Sequence, residues 1–188
     1  MCSIAGVTKS DNFQMISKML DIMRHRAPDD KGIFKDNKIT LGMGRLKIVD
    51  LLSKNLCPYV NKDIVLSFNG EIYNFKEIKK ELKELGYKFK TSSDTEVLAL
   101  AWSRWGTKCF TKLNGMFAFA IYDRRKEKLY LARDIAGEKP LYYIKINNKL
   151  FFASEAKALI KTLNLTKQNS QAYNAFQHCL NETLFKNL

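Results

Sequence analysis

Histidine is almost missing from this chain: His25 and His178 are the only two among 188 residues. Cysteine is scarce as well, and Cys2, Cys57, Cys109 and Cys179 are scattered with no C-x-x-C pair. These shortages leave neither a zinc cluster nor a disulfide framework to be read. Arginine occurs seven times against twenty-five lysines. It is the side chain whose planar fork grips phosphate and guanine bidentately. The formal charge of +13 therefore reads as solvated lysine surface, with lysines often beside glutamate as in residues 76–81, and not as a nucleic-acid interface. Asparagine and isoleucine, fourteen each, are enriched alongside lysine, a bias that genome base composition produces by itself. Long apolar runs are absent too. The longest, such as residues 115–122, fall far short of a membrane span. Residues 1–7 are too short, and lack the basic flank, to be a secretory signal. A cytoplasmic protein working without membrane or nucleic acid is the expectation.

What is present is 46% hydrophobic and 12% aromatic content, enough for a sizeable core in one large domain or one domain plus a tail. Residues 2–7 read as a short buried strand. Phe13, Ile16, Leu20 and Met23 recur at spacings of three and four, the mark of an amphipathic helix. Residues 39–49 and 63–68 are β-branched and predict strands. Asn74 with Glu77 has capping-box spacing and opens a predicted helix bearing Phe75, Ile78, Leu82 and Leu85, stopped by Gly86. Ser93 with Glu96 repeats the pattern ahead of Val97, Leu98, Ala101, Trp102 and Trp105, stopped by Gly106. Strands are predicted over 116–123, 128–134, 141–146 and 149–153, with tight turns at 124–126 and Asn147-Asn148. A helix follows over 155–162. There is no βαβ repeat, so the order points to an α+β domain of largely antiparallel sheets covered by helices. Residues 163–170 read as a linker and 171–180 as a short helix beyond it.

Three features carry chemistry. If Met1 is removed, Cys2 holds a thiol and a free α-amine on one residue. An α-amine has an ordinary pKa of about 7.7–8.0, so it can accept the thiol proton near neutral pH. A cysteine at position 2 is a weak signal by itself. The second feature is Asn69-Gly70-Glu71-Ile72-Tyr73-Asn74, between an apolar strand and a capped helix. The Asn69 side-chain amide and the Gly70 backbone N–H are two candidate donors to an oxyanion, and losing one such donor costs about 2.7–4 kcal/mol. Read alone, Asn-Gly is more simply a hairpin turn. The third feature is a charge pair suited to an amino acid. Arg45 can hold a carboxylate bidentately, and Asp94 can hold an ammonium. Their plainer readings are a strand arginine with a snorkelling stem and a first-turn acid complementing a helix dipole.

Together, Cys2, Arg45, Asn69-Gly70-Glu71 and Asp94 stand in the order and approximate spacing of a known domain. Over about residues 2–160 the chain resembles the glutaminase domain of asparagine synthetase, a class II glutamine amidotransferase of the N-terminal nucleophile hydrolase superfamily. His25-Arg26-Ala27-Pro28-Asp29, Leu113-Asn114-Gly115-Met116-Phe117, Ala132-Arg133-Asp134, Gly137-Glu138-Lys139-Pro140-Leu141 and Phe152-Ala153-Ser154-Glu155 extend the likeness. The resemblance implies a four-layer αββα sandwich over residues 1–162. Residues 163–188 would be a linker and the start of an ATP-dependent synthetase domain, whose S-G-G-x-D-S pyrophosphate loop the chain lacks.

The resemblance also implies roles. Cys2 attacks the glutamine side-chain amide with its own amine as base. Asn69 and Gly70 form the oxyanion hole. Arg45 takes the substrate carboxylate and Asp94 its ammonium. The backbone of Arg45, Leu46, Lys47, Ile48 and Val49, with Glu71, completes the pocket. The glutaminase half needs no cofactor and no metal; ATP and Mg belong to the synthetase half. Implied partners are glutamine, a synthetase domain or chain that receives ammonia, and a second copy in a homodimer. Aspartate is the default acceptor, giving asparagine. The alternatives are a catalytically weakened glutamine-binding or regulatory member, or the glutaminase half of an amidotransferase for cell-envelope sugars. Four positions depart from the family pattern. Ser3 and Ala27 stand where glycine is usual, Met43 where histidine is usual and Cys57 where glutamine is common. An added Cβ at the first two threatens any close backbone approach.

Overall fold

The computed structural model describes residues 1–9, 11–47, 57–165 and the backbone of 184–187. Its elements in chain order are β1 (Ser3–Thr8), α1 (Phe13–Ile22), β2 (Asp30–Lys35), β3 (Ile39–Arg45), β4 (Tyr59–Val60) and β5 (Ile64–Ile72). There follow α2 (Phe75–Glu84), α3 (Asp94–Trp105), β6 (Gly115–Asp123), β7 (Lys128–Arg133), β8 (Tyr142–Ile146), β9 (Lys149–Ala153), α4 (Ala156–Leu163) and β10 (Leu184–Asn187). The strands pair antiparallel in two sheets of five, ordered β2-β3-β1-β9-β8 and β10-β7-β6-β5-β4.

Alternation along each strand sorts the side chains into layers. From β1, Ile4 points between the sheets, where Leu41, Met43, Val65, Ala118, Ala120, Tyr122 and Phe152 meet it. Ala5 and Val7 point the other way, against Ile16, Met19 and Leu20 of α1 and Leu159 of α4. The opposite face of the second sheet packs Leu66, Phe68, Phe117 and Phe119 against Ile78 and Leu82 of α2 and Val97, Leu98 and Trp102 of α3. The result is the expected four layers, helix–sheet–sheet–helix.

Several expectations hold closely, and others are corrected. The Asn147-Asn148 turn has φ 47° and 61°, the left-handed pair that a two-residue hairpin requires. The strand expected over 39–49 stops at Arg45; residues 48 and 49 lie outside the described residues, as does the helix expected over 171–180. The edge strands β2, β4 and β10 were not predicted. β2 is exposed or half-buried throughout and β4 is only two residues long, so neither shows a clean period-2 pattern. Neither capping box forms. Asn74 occupies the cap position, but its amide instead bridges the turn after residue 111. Its Nδ2 donates to the Lys112 carbonyl at 2.8 Å and its Oδ1 accepts from Asn114 N–H at 2.9 Å. Ser93 does cap α3, accepting from Thr95 N–H at 3.1 Å. Glu96 turns to the preceding loop, accepting from Lys90 N–H at 3.0 Å and Thr91 N–H at 2.7 Å. Most consequentially, Asn69-Gly70 is no turn. β5 runs straight through it to Ile72, paired with β6 throughout.

That continuity depends on a glycine at position 115, which faces Ile72 across the ladder. A Cβ on Gly115 would lie 2.2 Å from the Glu71 carbonyl oxygen and 2.9 Å from Ile72 Cα, both backbone atoms. Gly115→Ala therefore forces β6 away from the segment carrying Asn69. A loss of about 1–3 kcal/mol is expected, read as a lower denaturant midpoint in equilibrium unfolding. A parental midpoint would show that the strands separate without cost.

Candidate active site

Cys2 lies one step before the paired part of β1, at its buried end. Because Ser3 pairs with Gly44, extending the ladder sets Cys2 beside Arg45, the last residue of β3. Across the gap between the sheets, β5 brings Asn69, Gly70 and Glu71, and the first residue of α3 brings Asp94. These residues wall a single cleft of about 130 Å³, with Met1, Met43, Leu46, Phe68, Met116 and Lys139 completing it. The size is that of the small cavities that hold one benzene-sized group, and Met1 still takes part of the space. The structure thus brings together Cys2, Arg45, Leu46, Asn69, Gly70, Glu71 and Asp94. Lys47 is not on the wall; its side chain is exposed and its N–H donates to Asp29 Oδ2 at 2.8 Å. Ile48 and Val49 lie outside the described residues.

The polar groups here are deeply buried. Arg45 is 5% exposed, Asp94 6% and Asn69 1%. A buried amide donor normally has a partner, yet Asn69 Nδ2 has none among the described residues. The Gly70 N–H can be placed by elimination. Its partner across the ladder is Phe117, whose own N–H donates to Asp134 Oδ2 at 3.2 Å and whose carbonyl accepts from Asp134 N–H at 2.8 Å. Phe117 therefore exchanges no backbone bond with Gly70, and antiparallel alternation turns the Gly70 N–H to the free edge of β5. The next N–H on that edge, from Ile72, is taken by Asp94 Oδ2 at 3.1 Å. Glycine is needed here, since a Cβ would meet the Met116 carbonyl oxygen at 2.3 Å.

Burial sets the electrostatics. It pushes the Asp94 carboxyl above its ordinary range, against hydrogen bonds from Ile72, Thr95 and Ser93. It pushes Cys57 and Cys109 up to about 12. It also raises Cys2, but there the Leu46 backbone, the chain's amino terminus and Arg45 oppose it. The Cys2 Sγ lies 3.8 Å from the Leu46 carbonyl oxygen. The Met1 ammonium is held below its ordinary range by burial, then by Arg26 and Lys139, against the pull of Cys2.

Two wall or support residues had no assigned role in the sequence. Lys139 is 7% exposed, with Nζ 3.4 Å from the Met1 sulfur. Asp134 places it: the carboxylate accepts from Glu138 N–H at 2.9 Å and Lys139 N–H at 3.1 Å, while Arg133 Nε donates to the Lys139 carbonyl at 2.8 Å. Arg26 donates from Nε to the Cys2 carbonyl at 3.3 Å. Both belong to motifs that were visible as strings, Arg133-Asp134…Lys139 and His25-Arg26, but only folding shows that they end at the cleft.

The four departures sort by face. Ser3 and Ala27 both fill the space left by Gly44 on the side of α1. A Cβ on Gly44 would sit 2.6 Å from Ser3 Oγ and 2.8 Å from Ala27 Cβ. They lie across the sheet from the Cys2 side chain. Met43 does line the cleft, and Cys57 donates from Sγ to the Met43 carbonyl at 2.8 Å.

Residues 1–187 match the family described as glutamine amidotransferase domain. The chain belongs to that family. It is 39% identical over 188 residues to asparagine synthetase [glutamine-hydrolyzing] 1 of Bacillus subtilis, covering 94% of this chain and 30% of that protein. It is also 39% identical over 176 residues to asparagine synthetase B [glutamine-hydrolyzing] of Escherichia coli, covering 89% and 31%. The chain thus spans about a third of the length of these curated relatives. Among solved structures, the glutamine phosphoribosylpyrophosphate amidotransferase of B. subtilis complexed with ADP and GMP aligns with a TM-score of 0.68 at 22% identity, over 88% of this chain and 44% of that one. That likeness shows the fold, a sandwich of two antiparallel sheets between helices. No helix of the described residues is long and apolar enough to cross a membrane.

The raised Asp94 carboxyl generates a prediction. A carboxyl whose folded pKa exceeds its unfolded value stabilises the fold at low pH and loses that contribution as pH rises through the folded value. Asp94→Asn cannot ionise and keeps an oxygen for Ile72 N–H. Its unfolding midpoint relative to the parent should therefore rise from about pH 4 upward and level off above the folded value. A pH-independent difference between the two would contradict the burial argument.

Proposed function

We propose that this amidotransferase domain hydrolyses glutamine to glutamate and ammonia with Cys2 as nucleophile, and that Met1 is removed first. The freed α-amine would take the thiol proton. It would arise one residue inward from the Met1 ammonium, beside the same Arg26 and Lys139, which favour a neutral amine. The thiolate attacks the side-chain amide carbon. Asn69 Nδ2 and the Gly70 N–H receive the oxyanion, the protonated amine returns its proton to the leaving ammonia, and water hydrolyses the thioester. Arg45 binds the substrate carboxylate and Asp94 its ammonium, with Leu46 and Glu71 completing the wall.

The observation that carries this reading is the Asn69 Nδ2 donor, unpartnered among the described residues and 1% exposed on the wall shared with Cys2. Such a donor is costly to leave unmade, and its position suits a charge that exists only during the reaction. In this reading the ammonia passes to a synthetase portion, present in the relatives and outside this chain, that converts aspartate to asparagine with ATP and Mg. The protein would act in the cytoplasm.

Glutamate release from glutamine is the direct test, after intact mass confirms loss of Met1. The parent should turn over and Cys2→Ala should not. Asn69→Ala should lower kcat by about 10²–10³, and Asp94→Asn should raise KM while leaving the protein folded. Equal rates for the parent and Cys2→Ala would end the proposal.

A further inference from the structure

A nucleophile that is also its own base must be held by its backbone, and here the ladder stops one residue short. Register between β1 and β3 begins at Ser3, and between β1 and β9 at Ala5. Rotation about the Cα–C bond of Cys2 would swing thiol and amine together. What restrains that bond is the segment between β9 and α4. Ser154 clasps the next turn of β1 twice: its N–H donates to the Ile4 carbonyl at 2.9 Å, and its Oγ accepts from Ile4 N–H at 2.9 Å. Glu155 reaches further. Its Oε1 accepts from Arg26 Nη1 at 3.1 Å, and Arg26 Nε donates to the Cys2 carbonyl at 3.3 Å.

We propose that Glu155 is a positioning residue that acts through Arg26 to fix the Cys2 backbone for attack. The inference rests on the glutaminase reading above.

Two other contacts of Arg26 end on Met1. The Arg26 carbonyl accepts from the Met1 ammonium at 3.2 Å, and Arg26 Nη2 lies 3.8 Å from the Met1 sulfur. Loss of Met1 removes both. The guanidinium, whose side chain is 9% exposed, is then left with Glu155 and the Cys2 carbonyl among its described side-chain partners. Glu155 is well placed to remain an anion. Although burial opposes it, Lys157, His25 and Arg26 hold its carboxyl below the ordinary range. His25 Nε2 lies 2.8 Å from Oε1 and Lys157 Nζ 2.9 Å from Oε2, so the carboxylate is fixed from both sides. The groups proposed to hold substrate, Arg45 and Asp94, stand on other elements, β3 and α3. The device therefore bears on attack and not on glutamine affinity.

The test uses matured parent, Glu155→Ala and Glu155→Gln, each with loss of Met1 verified by mass and folding by thermal unfolding. Two readouts are taken: steady-state glutaminase kinetics, and the rate at which a chloroketone analogue of glutamine alkylates Cys2. Misplacing reacting atoms by about 1 Å costs up to about 10²-fold. Glu155→Ala should lose about tenfold or more in kcat with KM within twofold, and its alkylation at saturating analogue should slow in parallel. Glu155→Gln, which keeps a neutral acceptor for Arg26, should fall between, and carries the test should the alanine variant unfold. Parental kcat in a folded variant, or a loss confined to KM, would overturn the inference. A parent that releases no glutamate overturns the glutaminase reading instead. The alkylation rates then decide this one: slower in the variants supports it, equal rates overturn it.

Discussion

Everything in this domain follows from placing the second residue of the chain at the buried end of a central strand. Chain ends usually lie at the surface with few contacts. Here β1 is the middle strand of its sheet, paired with β3 on one side and β9 on the other. Its six residues are all buried. The two pairings come from chain about 40 and about 150 residues away, so the amino terminus is fixed only when the sandwich is complete. The site inherits that dependence: no local segment holds Cys2, Asn69 and Asp94 together.

Against this scaffold the cleft concentrates cost. Arg45, Asn69 and Asp94 are polar groups withdrawn from water, and such withdrawal costs free energy unless bonds or charges compensate it. Some compensation is present: Asp94 accepts from Ile72, Ser93 and the first turn of α3. The Asn69 donor has none among the described residues. The apolar layers on both outer faces and between the sheets carry the stability that makes this tolerable, much as folds in general store strain where they act.

The sandwich was largely legible beforehand because its signals are local. Buried strands show as apolar runs, and Asn147-Asn148 accepts the left-handed conformation its hairpin needs. What escaped was decided by tertiary context. β2 and β4 are edge strands whose residues answer to one neighbour only. Asn74 and Glu96 have cap spacing, yet their polar atoms found other partners, Asn74 in a turn distant in sequence and Glu96 in the loop just before α3. Asn69-Gly70 is the sharpest case. The dipeptide favours a turn, but pairing of β5 with β6 on both sides of it overrides that preference. The site residues Cys2, Arg45 and Asp94 were legible only as an ordered set. Lys139, Arg26 and Glu155 were strings without a destination until the fold joined them.

The same logic bears on the departures from the family pattern. Strand alternation separates the two faces of β1 and β3, so an added Cβ matters only on the face where it points. Ser3 and Ala27 share the space left by Gly44 on the side of α1, across the sheet from the Cys2 side chain. Met43 and Cys57 fall on the other face. There the Cys57 thiol bonds the Met43 carbonyl and fills the corner behind the cleft. Met1 lies on that face as well, its sulfur between the Arg26 guanidinium and the Lys139 ammonium. Removing that one residue frees the amine, uncovers two cations beside it and enlarges the cleft. In the proposed mechanism, maturation and substrate access are a single geometric event, and its consequences fall on the residues that keep Cys2 in place.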